Sequence, residues 1–113
     1  KMDGQKQTIY PRKNWSSVVL WNCGHPSNEK ITVDLVNNPN YDGKYFHRFS
    51  WLKDEEIGKL SHEWNWLVGW YKAPEDGEPK ALHYTEGGPW FKNYRHCEYG
   101  DVWKNYLAEM MKK

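Results

Sequence analysis

The sequence has no long apolar run. The longest, Val18 to Trp21, is far too short to cross a bilayer, so no membrane span is expected. Charge of one sign is not in excess either: 16 Lys and Arg stand against 15 Asp and Glu, a net charge of +1. A nucleic-acid or membrane-surface protein would concentrate Lys and Arg, so no nucleic-acid partner is expected. Cysteine is scarce. Cys23 and Cys97 make no disulfide framework, and two reduced thiols in an intracellular protein are the simpler expectation. The sequence also lacks a Walker-type or dinucleotide glycine motif, a G-x-S-x-G elbow around Ser16 or Ser17, and any Asp-x-Asp pair. The opening Lys1-Met2-Asp3-Gly4 is polar, so no signal peptide is read there and a cytoplasmic location is the default expectation. With no Met at position 1, and ten opening residues that read as mid-protein sequence, the chain is expected to be a fragment.

Aromatic residues are abundant: eight Trp and eight Tyr help bring their share to 17% of 113 residues. With few aliphatics, rings must supply much of the buried area, roughly 150–250 Å² each. Flat apolar faces with polar edges also suit carbohydrate, whose axial C–H groups stack on rings. A single domain spanning residues 1–113 is expected, since that length supports one modest core.

Along the chain, Ser17 to Asn22 reads as a strand buried on both faces, because its apolar residues are continuous and β-branched. Gly24 to Asn28 is a turn. Ile31, Leu35 and Val36 recur at helical spacing, with Thr32 or Ser27 as N-cap. Tyr45 to Trp51 alternates aromatic with polar residues, which predicts a half-buried strand. Asp54 to Gly58 is a single helical turn, Lys80 to Tyr84 a short strand, and Asp101 to Lys112 a helix ending on lysines. Short strands separated by single helices and loops give an α/β (mixed) fold class.

Candidate chemistry is sparse. His83 closes a short strand before the turn Gly87-Gly88-Pro89-Trp90, where an imidazole and backbone amides can face a metal and a phosphate. Cys23-x-His25 and adjacent His96-Cys97 lack zinc-ligand spacing, which argues against structural zinc. The carboxylates Asp54, Glu55, Glu56 and Glu63 are read as a solvated face. No catalytic base stands out.

Six segments occur in one order: Tyr10 to Ser17, Leu20 to Cys23, His47 to Leu52, Ile57 to Leu60, Glu63 to Val68 and His83 to Trp90. The series resembles the second half of bacterial and phage glycosyltransferases of the GT-A type, distantly similar to glycogenin-like family 8 enzymes. The resemblance implies the C-terminal, acceptor-side portion of a GT-A nucleotide-diphospho-sugar transferase fold. It also implies transfer of a sugar from a nucleotide-sugar to a carbohydrate or other hydroxyl acceptor, with Mn²⁺ bound in the intact enzyme. By the same resemblance His83 is the metal ligand, Ser16, Ser17, Gly87 and Gly88 lie by the donor, and Trp64 and Asn65 by the acceptor. The family's Asp-x-Asp is missing, so the chain is expected to be inactive alone. The lost half would leave an exposed sheet edge able to self-associate. The alternative is a stand-alone carbohydrate-binding or interaction module that uses Trp64, Trp66 and Trp70 as platforms.

Overall fold

The computed structural model describes residues 17–113. These residues fall into two compact units, one formed by residues 17–60 and the other by residues 61–113.

In the unit of residues 17–60, two short helices are started by polar side chains. The Thr32 hydroxyl accepts from the Leu35 amide and opens α1, Val33–Asn37, as its spacing predicts. The Asp42 carboxylate accepts from the Tyr45 amide and opens α2, Gly43–His47. The segment from Tyr45 to Trp51, expected as a strand, therefore begins as helix. Its rings at 45, 46 and 49 also fit a helical face, and the Asp42 cap decides between the two periods. Phe49, at φ 51°, stops the helix.

Phe49 and Trp51 are the buried apolar residues of this unit. Trp21 stacks on Trp51 at 6.1 Å and 8°, and meets Phe49 edge-on at 5.9 Å. The Trp51 indole N–H donates to Asn28 Oδ1 at 3.3 Å. A 3₁₀ turn over Asp54–Glu56 is held by its own last residue. The Glu56 carboxylate accepts from the Lys53 amide and from the Ser27 hydroxyl, and these bonds hold its pKa below the ordinary value.

The expected buried strand from Ser17 to Asn22 does not form. Val18, Val19, Leu20 and Trp21 are all exposed, Leu20 most of all, and the segment pairs with no strand among the described residues. Strand preference is realised only against cross-strand neighbours, and this run has none there.

In the unit of residues 61–113 the core is Trp66, wholly buried, with Val68. Trp66 packs against Tyr71 at 5.4 Å and His62 at 6.2 Å between ring centroids. Two short parallel strands pair here: β1, Trp66–Leu67, and β2, Leu82–His83, with Trp66 opposite Leu82 and Leu67 opposite His83. The Trp66 amide donates to the Ala81 carbonyl at 2.9 Å, and the Val68 amide to that of His83 at 3.0 Å.

Glu63 ties the loop between the strands to β1. Its carboxylate accepts from the Glu78 amide at 2.9 Å and pairs with the Lys80 ammonium at 2.9 Å. Its backbone carbonyl also accepts from the Lys80 and Ala81 amides. The Glu78 amide bond, then the Lys80 contact, lowers the Glu63 pKa below 4.5. A carboxyl with a depressed folded pKa adds stability above its unfolded value, and that stability is lost as pH falls through the folded one. Glu63→Gln should therefore flatten the fall of melting temperature on acidification below pH 4.5 while leaving the neutral plateau lower. Unchanged acid limbs, read by circular dichroism, would refute the assignment.

The unit closes with α3, Gly100–Met111. Val102 and Trp103 are half-buried, whereas Tyr106, Leu107, Met110 and Met111 continue the same apolar stripe into solvent. No helix among the described residues is long and apolar enough to cross a membrane. Cys23 and Cys97 are both free thiols.

Candidate functional site

The parallel register leaves the residue that precedes β1 diagonal to the end of β2. Asn65 ends a 3₁₀ turn over His62–Asn65, which Ser61 caps by accepting from the Glu63 amide at 3.4 Å. With Leu67 opposite His83, the Asn65 side chain reaches the imidazole, and His83 Nδ1 lies 2.9 Å from Asn65 Oδ1. An amide oxygen accepts only, so Nδ1 carries the proton and Nε2 keeps a lone pair in the neutral ring. Burial lowers the His83 pKa below 6.5, which keeps the ring neutral. Nε2 makes no hydrogen bond among the described residues. The result is a half-buried hydrogen-bond acceptor, oriented by a neutral partner.

Asn65 and His83, singled out separately in the sequence, thus form a pair. Trp64 lies next to Asn65 and is exposed, but the Lys80 ammonium sits 5.6 Å above its ring. Trp66 is core, which removes it from the expected set of platforms, because a ring with no exposed surface meets no ligand. Trp70 is exposed. Ser17 is exposed in the unit of residues 17–60, and Ser16 lies outside the described residues.

Gly87, Gly88 and Pro89 are buried. Neither glycine amide donates a hydrogen bond to another described residue. The surroundings of this turn are aromatic. A Cβ at Gly88 would fall 2.1 Å from the Trp90 ring, and one at Gly87 2.9 Å from the Tyr94 ring. Tyr84 follows His83, donates from its hydroxyl to the Tyr99 carbonyl at 2.7 Å, and meets the Trp90 ring edge-on at 5.6 Å. Burial raises the Tyr84 pKa, so the hydroxyl remains a donor. Sequence reasoning reached the glycines and His83 but not Tyr84 and Trp90 as parts of one cluster, although His83 to Trp90 had been singled out as a segment.

A Mn²⁺ ion does not fit these residues. Among the described residues no three His, Cys, Asp or Glu side chains gather where they could hold a metal. His83 has an amide oxygen beside it, whereas a hard cation needs several oxygen ligands, carboxylates foremost. No step through a metal follows from the described residues.

Over its whole length, across 116 aligned residues, the chain is 50% identical to Protein CDI of Arabidopsis thaliana, and it spans 44% of that protein's length. No protein-family model matches the chain. No solved structure matches it. These findings overturn the resemblance to bacterial and phage GT-A glycosyltransferases. The alignment with half of its positions identical is to a plant protein, and it covers all six segments on which the resemblance rested. Short segments rich in Trp, Gly and Pro recur wherever aromatic cores and tight turns are built, so their order alone carried too little information.

Proposed function

We propose that the chain is the carbohydrate-facing part of a longer protein that transfers sugar from a nucleotide-sugar to an acceptor hydroxyl. Transfer is proposed for the whole protein, since the chain spans 44% of its relative's length; sugar contact is proposed for this chain. The observation that carries the reading is the His83–Asn65 pair. A neutral imidazole, its tautomer set by an amide oxygen, presents one lone pair to an incoming O–H. Sugar hydroxyls are neutral donors of that kind, and the aromatic cluster that begins at the next residue, Tyr84, would supply the apolar surface that sugar C–H faces require.

The neutral ring also favours an uncharged ligand over an anion, so His83 serves the hydroxyl side of the reaction rather than the diphosphate. Exposed Trp70 and Trp90 favour a second reading, a binding module without transfer. Product formation by a protein of the relative's full length separates the two.

The test is calorimetric titration of the chain with cellohexaose, maltohexaose and UDP-glucose. His83→Ala should weaken oligosaccharide binding by up to about tenfold, the value of one hydrogen bond of ~0.5–1.5 kcal/mol. Because burial lowers the His83 pKa, binding should persist as pH falls through 6.5 and weaken only below it, by no more than His83→Ala weakens it. Equal affinities for the wild type and His83→Ala would remove His83 from the site.

A further inference from the structure

An indole normally buries most of its surface, yet Trp90 is 49% exposed while in contact with three other rings. Three rings surround it: Tyr84 at 5.6 Å and 75°, Trp103 at 5.3 Å and 52°, and Phe91 at 5.8 Å and 52°. None is parallel to it, so none forms a face-to-face stack with it. The six-membered part of the indole lies against Gly88, where an added Cβ would fall 2.1, 2.2 and 2.6 Å from Cζ3, Cη2 and Cε3. Only glycine at 88 lets the ring lie there. The backbone beneath is buried through Pro89, so the turn sets the ring in place and leaves about half of it to solvent.

The other exposed tryptophans of residues 61–113 differ. Trp64 has the Lys80 ammonium over its ring, and Trp70 has no ring contact among the described residues. Trp90 alone in this unit combines an open surface with a fixed seat.

We infer that Trp90 is the stacking platform for a pyranose ring, with the sugar's C–H face on the indole. This rests on the carbohydrate reading above and assigns the contact with the sugar face to one ring of its aromatic cluster. Fixing the ring in advance removes the entropy cost of ordering it on binding. Its polar counterpart is close in the chain, since Tyr84, in contact with Trp90, directly follows His83. A pyranose needs both: an apolar plane for its C–H groups and directional partners for its hydroxyls.

The experiment is a ¹H–¹⁵N titration of the 113-residue chain with cellohexaose and maltohexaose, following the indole N–H signals. Trp90→Phe identifies the Trp90 signal and keeps an aromatic ring in the cluster. The Trp90 signal should shift saturably with at least one oligosaccharide. Trp90→Ala and Gly88→Ala should each weaken binding about fivefold or more, while Tyr106→Ala, on the exposed face of α3, leaves it unchanged. Should a sugar bind without moving the Trp90 signal, and with equal affinity in Trp90→Phe, the platform is wrong and the carbohydrate reading stands. Should neither oligosaccharide bind the wild-type chain, the carbohydrate reading falls and the platform falls with it.

Discussion

Replacing Trp66 by alanine should cost the unit of residues 61–113 about 3–5 kcal/mol, the range for emptying a site filled by a large aromatic residue. Domains of ordinary stability hold only ~5–15 kcal/mol in reserve, so the variant should lose a large share of its stability and unfold at markedly lower urea than the wild type. Trp66 has no exposed surface, packs between Tyr71 and His62, and carries the backbone pairing of β1 with β2. Its indole N–H is buried without an acceptor among the described residues, so the substitution loses packing and no hydrogen bond. Trp66→Phe should therefore be milder, since it keeps part of the ring and removes an unsatisfied donor. Urea unfolding followed by far-ultraviolet circular dichroism measures both variants. A Trp66→Ala midpoint equal to that of the wild type would show that this unit does not fold around Trp66.

The second large effect is expected at Gly87. Its φ of +145° is a conformation that L side chains rarely adopt, and an added Cβ would lie 2.9 Å and 3.0 Å from Tyr94 and 3.1 Å from Phe91. Backbone strain and overpacking then act together, and Gly87→Ala should destabilise by about 2–5 kcal/mol. Gly58→Ala is the control, because its Cβ meets nothing within 4 Å. Thermal melts of the two alanine variants should differ widely. Similar melting temperatures would mean that the turn at Gly87 relaxes freely and does not fix the rings above it.

What could be read from the sequence was whatever local chemistry decides. The Thr32 cap, the turn at Asp54 and the periodicity from Val102 to Met110 each carry their own signal, and each element formed. The strand at Lys80 to Tyr84 also formed, trimmed to Leu82 and His83. The run from Val18 to Trp21 failed because a strand is a relation between two segments, and its composition names no partner. The Tyr45 segment failed because its rings satisfy both periods, so one carboxylate at Asp42 set the outcome. In the site, His83 stood out by its place at a strand end, whereas its pairing with Asn65 depends on a register that two-residue strands do not announce. Trp66 and Trp70 looked alike as candidate platforms. Burial separates them, and burial follows from which residues sit on β1.

The spread of tryptophan environments also makes the chain its own optical reporter. Trp66 sits in a dry interior, Trp64, Trp70 and Trp90 meet water, and Trp21 and Trp51 lie nearly parallel at 6.1 Å, close enough for their excited states to mix. Emission from this chain is therefore a sum of blue and red components, and an aqueous quencher reaches the red ones first. A sugar resting on one exposed indole would shield it from the quencher and leave the blue component untouched, so occupancy of the surface and integrity of the core can be followed in a single spectrum.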